Sequence, residues 1–192
     1  QVFFGTAFIA VVLFNTLLLQ ELWGWSALAA GFGVVPGPAL AAILGGPVGS
    51  IADRVGHRNL LVVGSLSAAA SPLLLLTRVG MESNYLGTML PASLLLGVGV
   101  ACSFATFASL GLKEVPAPRY ATASATLRTT SQVGFASGVA IAIAVFQAGT
   151  DQGFLMAFDR AWTFMAVTLL AGAVFCAVAC PSRDQVRGLV AR

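Results

Sequence analysis

Charge is what this sequence has least of. Lys and Arg together supply 10 of its 192 residues and Asp and Glu only 7. That is a charged share of 9%, where a soluble domain carries about 25%. A chain with 58% hydrophobic residues and a mean hydropathy of +0.91 cannot cover itself with so little polarity, so a soluble globular fold is excluded. The solvent for this chain is a bilayer. Its net charge of +3 rests on too few residues to form a nucleic-acid footprint. Cysteine is scarce as well. Cys102, Cys176 and Cys180 fall inside or at the end of apolar runs, where cysteine acts as a small packing residue. Cys176-x-x-x-Cys180 has no nearby His, which leaves no metal site. The one histidine is His57, and neither H-E-x-x-H nor G-x-S-x-G occurs. An intramembrane enzyme would therefore lack both a metal cage and a nucleophile–base pair. No basic region precedes the first apolar run and no small-residue cleavage site follows it, so no cleavable signal peptide is evident. The chain opens at Gln1, at the edge of that run, so further sequence is expected upstream.

Long apolar runs are what the sequence does contain. Six reach the roughly 17–25 residues that cross a bilayer, approximately Val2–Leu19, Ser26–Ile51, Leu60–Leu76, Leu86–Leu112, Ala121–Gln147 and Ala161–Cys180. Lipid offers no partner for backbone N–H and C=O groups, so each must be a helix. The runs are continuously apolar and lack the alternation of a membrane β-barrel. The fold expected is an all-α integral membrane bundle of six transmembrane helices, joined antiparallel by short connections. Pro36, Pro38 and Pro47 all fall in the second run. Each removes a backbone hydrogen bond and favours a kink or local unwinding there.

The few charges set the orientation. Arg54, Arg58, Lys113, Arg119, Arg128, Arg183, Arg187 and Arg192 fall on one side, and only Arg78 and Arg160 on the other. The second side also carries Glu21, Glu82, Asp151 and Asp159. By the positive-inside rule the loop between spans two and three, and the C-terminus, are cytoplasmic. Trp23, Trp25 and Tyr85 stand at outer boundaries and Tyr120 at an inner one, where amphipathic rings anchor at the interface. Gly33-x-x-x-Gly37, Gly45-x-x-x-Gly49 and Gly134-x-x-x-Gly138 each put two glycines on one helix face, a spacing that lets a neighbouring backbone approach. Gly45, Gly134 and Gly138 are thus expected at helix contacts.

The densest knot of charge is Gly-Ser-Ile-Ala-Asp-Arg-Val-Gly-His-Arg, residues 49–58, between spans two and three. Gly49 permits close approach and Asp53 can meet a neighbouring helix N-terminus or a basic side chain. Gly56 supports the sharp reversal, and Arg54 and Arg58 hold the loop in the cytoplasm. The pattern G-x-x-x-D-R-x-G-x-R in this setting resembles the cytoplasmic signature loop of major facilitator superfamily transporters. The resemblance implies one six-helix half of a major facilitator fold spanning residues 1–192, the C-terminal half, with an N-terminal half upstream. It also implies a latch: Asp53 accepts, Arg54 and Arg58 donate, and Gly49 and Gly56 pack closely to hold the cytoplasmic ends of the two halves together. His57 departs from the family pattern, in which a second basic residue often precedes Arg58. A neutral imidazole would weaken the latch, and His57 is read as a surface-loop side chain without a task of its own.

Further segments resemble the C-terminal half of fourteen-span drug:proton antiporters. They are Leu19-Gln20, Gly24-Trp25-Ser26, Ala30-Gly31 and Pro36; Leu90-Pro91-Ala92 with Gly97-x-Gly99; and Val115-Pro116, Arg128 and Gln132-x-Gly134-x-x-x-Gly138-Val139-Ala140. The resemblance implies a secondary active transporter of the cell (inner) membrane. It would export drugs or other small hydrophobic compounds by alternating access, driven by a proton gradient and using no bound cofactor. An exporter of one metabolite, such as a sugar, amino acid or antibiotic, shares these features, and a channel or non-transporting scaffold is the other alternative. An apolar, aromatic pocket would draw on Phe14, Phe32, Phe104 and Phe107, with Asn15 and Gln20 as its hydrogen-bonding points. Every acid is expected in a loop, at a span end or in the tail, so a proton-coupling carboxylate is expected upstream of this chain.

Cysteine introduced at Asn59 or Gln185 of the full-length protein should resist an impermeant thiol reagent from outside, whereas cysteine at Glu82 should react. The reverse labelling pattern would overturn the six-span orientation.

Overall fold

The computed structural model describes residues 2–112 and 115–179. Helix α1 (Val2–Leu17) widens at its C-terminal end into a π-helical turn over Leu18–Leu22, where the Trp23 N–H reaches back to the Leu18 carbonyl at 3.1 Å. Ser26 then caps α2 (Ala27–Val34), its hydroxyl accepting from the Ala29 N–H at 3.3 Å. The second span is broken at Val35, and α3 (Pro36–Val55) follows at once. Pro36 and Pro38 explain the break: neither donates to the ladder and their rings crowd the preceding turn. The Val35 N–H turns instead to the Phe32 carbonyl at 3.2 Å. Pro47 lies within α3 without ending it.

Only Gly56 separates α3 from α4 (His57–Arg78). Its φ of +96° is a conformation that a side chain would strain, which is why the reversal uses glycine. A second π-helical turn, Tyr85–Met89, opens α5 (Leu90–Leu112), with the Asn84 side chain accepting from the Gly87 N–H at 2.9 Å. Helix α6 (Tyr120–Gln147) and α7 (Phe154–Ala179) complete the chain. Six spans emerge among the described residues, as hydropathy indicates.

The last span differs from its sequence-based boundary. Helix α7 begins at Phe154 rather than near Ala161, so Asp159 and Arg160 lie on the helix instead of before it. Aromatic packing carries the helix through this polar pair. Phe158 sits 5.1 Å from Phe146, 5.3 Å from Phe154 and 5.9 Å from Phe14, ring centre to ring centre. Arg160 also has a local use: its Nη1 donates to the Ala148 carbonyl at 3.0 Å, capping the end of α6.

The helices are arranged unevenly. Helix α4 packs on α5 and α7, α1 on α6 and α7, and α3 on α5. This places α3 and α6 at two ends, α1 and α5 between them, and α4 and α7 behind. Only 17% of the second span (α2 and α3) and 22% of α6 are buried, against 39–56% for the other four.

Small residues bring the contacting helices together. A methyl group added at Gly99 of α5 would stand 2.7 Å from the Gly64 carbonyl oxygen of α4. One at Gly134 of α6 would stand 2.9 Å from the Val2 carbonyl of α1, and one at Gly138 would overlap the Thr6 backbone. Gly134 and Gly138 thus do what their spacing implies. At Gly45, half-buried on α3, no atom of the described residues lies within 4 Å of where a side chain would begin. Gly138→Ala should accordingly destabilise the protein by about 1–3 kcal/mol through overpacking, while Gly45→Ala leaves the six-helix bundle itself unstrained. Thermal unfolding of the purified full-length variants measures the difference.

Candidate functional site

The signature loop is built by two helix ends and one glycine. The last turn of α3 carries Asp53 and Arg54, whose side chains lie outside the described residues. Gly56 makes the reversal, and Arg58 sits half-buried in the first turn of α4. Gly49 is exposed and, like Gly45 and Gly46, has open space beside its Cα. Gly46 and Gly49 are exposed and Gly45 is half-buried, so the three leave a strip of bare backbone along α3. His57 has a partner that the sequence pattern did not reveal. Its Nε2 lies 3.0 Å from the Ser109 hydroxyl, across 52 residues, tying the start of α4 to the inner end of α5. No local signal in the sequence pairs these two residues.

The residues proposed for a substrate pathway do not form one group. Phe104 and Phe107 are half-buried on α5 and meet α1, with Phe104 5.7 Å from Phe4 and 5.8 Å from Phe8, and Phe107 6.2 Å from Phe4. Phe135 of α6 joins them, 6.2 Å from Phe8. This aromatic cluster spans the face between α3 and α6. Phe14 lies elsewhere, fully buried against Phe146 and Phe158 where α1 meets α6 and α7. Phe32 projects from α2 with 69% of its surface exposed. Gln20 is half-buried in the π-helical turn that ends the first span. Asn15 is buried, and its Oδ1 meets no hydrogen-bond donor among the described residues.

The end of the bundle opposite the Gly56 reversal is tied by the three aromatic residues expected as interfacial anchors. Trp25 lies 5.3 Å from Tyr85, whose hydroxyl donates to the Gly33 carbonyl at 2.9 Å. The Trp23 indole N–H donates to the Gly80 carbonyl at 3.2 Å. These rings therefore join the ends of the first, second, third and fourth spans.

The exposed side of α6 carries Thr122, Thr126, Thr129 and Thr130, which with Val2 and Val133 line a shallow groove of about 460 Å³. The hydroxyls of Thr126, Thr129 and Thr130 donate to carbonyls four residues back at 2.8–3.0 Å. Their hydrogen-bonding needs are met within the helix, and what they offer outward is small and largely apolar.

A six-span bundle whose second span and α6 are little buried, with a charged reversal between the second and third spans, accords with the comparison to known proteins. The Major Facilitator Superfamily profile matches residues 1–188. The chain belongs to that superfamily. It is thus a multi-pass membrane protein of a transporter family, not an enzyme. Among curated relatives of this major facilitator chain, the puromycin resistance protein pur8 of Streptomyces alboniger is 35% identical over 136 residues, covering 67% of this chain and 26% of pur8. The lincomycin resistance protein LmrB of Listeria monocytogenes is 29% identical over 133 residues, covering 69% of this chain and 28% of LmrB. The cephamycin export protein CmcT of Amycolatopsis lactamdurans is 28% identical over 150 residues, covering 77% of this chain and 30% of CmcT. The chain therefore spans under a third of each relative it matches.

Asn15→Leu should raise the unfolding temperature of the full-length protein, because a buried amide oxygen without a donor costs about 1–3 kcal/mol. A lowered unfolding temperature would show that Asn15 finds its partner beyond the described residues.

Proposed function

We propose that this chain is the C-terminal six-helix half of a drug exporter, working by alternating access against an N-terminal half of the same polypeptide. The observation that carries the reading is the pair of uncovered faces on α3 and α6. In lipid, helices associate by close packing and interhelical hydrogen bonds rather than by a hydrophobic drive. Gly45, Gly46 and Gly49 on α3, and the threonine groove of α6, are surfaces suited to such packing. A second helical bundle of like size is the partner they fit. The resistance and export functions named for the relatives support small hydrophobic compounds as the cargo.

In this reading the signature loop is the cytoplasmic latch. Asp53 falls in the last turn of α3, four residues past Gly49, so a partner helix seated on the glycine strip would end close to it. Arg54 and Arg58 supply matching donors. Charge-assisted bonds hold the inner ends together while the outer side is open, and they break when the halves rock the other way. The basic residues of the loops and tail support a cytoplasmic latch and C-terminus in a protein of the cell (inner) membrane. The energy source is a proton gradient, with the coupling carboxylate on the other half. Asp159, the acid that the structure moves onto a spanning helix, lies only about one and a half turns inside α7, near the outer rim.

Asp53→Asn in the full-length protein should lower export far more than it lowers membrane abundance, since each charge-assisted hydrogen bond lost is worth about 1.5–3 kcal/mol. Parallel loss of abundance and export would make the loop a structural turn, and unchanged export would refute the latch.

A further inference from the structure

One cavity lies apart from the signature loop and shares only Phe8 with the aromatic cluster. It encloses about 220 Å³ between α1, α3 and α5. Phe8 and Val12 line it from α1, Pro38 and Ala41 from α3, and Leu96 and Val100 from α5. None of these side chains carries a charge or a hydrogen-bonding group. A resident water needs two to four polar partners, so this space favours an apolar guest. Its size is informative. Apolar voids of about 150 Å³ stay dry and take up benzene, whereas sites for whole drug-sized ligands run to about 300–1,000 Å³. The cavity therefore matches one part of a larger molecule.

The space is also fixed in shape. Gly37 and Gly97 form its floor, and there α3 and α5 are already in backbone contact: a carbon added at Gly97 would overlap the Gly37 carbonyl, and one at Gly37 would stand 2.8 Å from the Ser93 carbonyl. The two helices cannot close further to fill the void. Pro38 at the rim is exposed, so the cavity is reachable. Its lining comes from α1, α3 and α5 and from no residue of α4 or α7.

We propose that this cavity binds one uncharged aryl or branched-alkyl group. That the group belongs to an exported compound rests on the exporter reading above; that the cavity takes such a group does not. Shape selection follows from Ala41 and Val100, the small side chains that leave the space open. Polar or charged parts of the same molecule would have to be met elsewhere.

The test uses the full-length protein in phosphatidylcholine nanodiscs and 3-trifluoromethyl-3-phenyldiazirine, an uncharged aryl probe. On illumination it loses dinitrogen, and the carbene inserts into a neighbouring C–H bond. Adducts on Phe8, Val12, Leu96 or Val100 should exceed those on the lipid-exposed Ile43 and Val63 by about tenfold. Excess p-cymene should displace them, added phospholipid should not, and Ala41→Phe should abolish them. Ala41→Leu, a smaller filling, serves if the phenylalanine variant does not fold. Labelling no denser than at Ile43, labelling unchanged by the filling variants, or displacement by phospholipid but not p-cymene would each overturn the proposal. Puromycin export by the same protein in proteoliposomes is read separately. Export that falls in Ala41→Phe or Ala41→Leu at constant abundance places the group on the cargo. Absent export in the unmodified protein, with labelling intact, sinks the exporter reading and leaves the aryl site standing.

Discussion

Backbone contact between helices is the constraint on which this bundle depends. In water, burying leucine and valine would hold six helices together at about 25 cal/mol per Å² of apolar surface. In a bilayer that term nearly vanishes, because lipid tails are as apolar as the side chains. What remains is dispersion, which decays steeply with distance, so the helices must come close. Gly64 against Gly99, Gly37 against Gly97, and Gly134 and Gly138 against α1 are where they do so. The apolar cavity is a consequence of the same contacts: two helices pinned together at a glycine floor diverge above it, and the side chains there are too small to fill the gap.

Polar groups are managed with similar economy. Serine and threonine hydroxyls turn back to their own helix, as Thr106 does to the Cys102 carbonyl at 2.6 Å, or cross to a neighbour, as Ser67 does to the Leu95 carbonyl at 2.8 Å. Asn15 Oδ1, Ser71 Oγ, Ser93 Oγ, Ser103 Oγ and Trp162 Nε1 are the buried atoms left without a partner among the described residues. Four of these five carry short side chains on α1, α4 and α5, the helices nearest the middle of the bundle. Each is a place where a buried water can supply the missing bond.

The span count, the break at Pro36 and Pro38, the reversal at Gly56 and the packing of Gly134 and Gly138 were all legible in the sequence, because each follows from local chemistry. A proline cannot donate, a glycine admits positive φ, and a run of about 20 apolar residues has to be helical in lipid. What was not legible depends on a neighbour. The start of α7 moved because Phe154 and Phe158 find rings on α1 and α6, which outweighs the polar Asp159–Arg160 pair. Phe14 and Phe32 look alike in hydropathy, yet one is sealed among aromatics and the other faces outward. The His57–Ser109 bond joins residues on different helices, and no periodicity announces it. The cavity had no motif at all, since its walls are ordinary core residues and only their arrangement leaves the space.

These ties bear on how such a half can move. At one end His57 fastens α4 to α5, and at the other the Tyr85 hydroxyl and the Trp23 indole fasten the ends of four spans. Between them the glycine contacts leave no room for one helix to slide along another without overlapping a carbonyl. A bundle held at both ends and locked through its middle resists internal rearrangement more than it resists rotation as a unit. The rocking proposed for it therefore has to be taken up at the faces that carry no such locks, α3 and α6. The same faces are the least covered by the rest of the chain, and the single-residue hinge at Gly56 stands at the end of one of them. Motion and recognition thus fall on opposite sides of the same contacts: the glycines that make the half rigid also hold open the space in which an apolar group can sit.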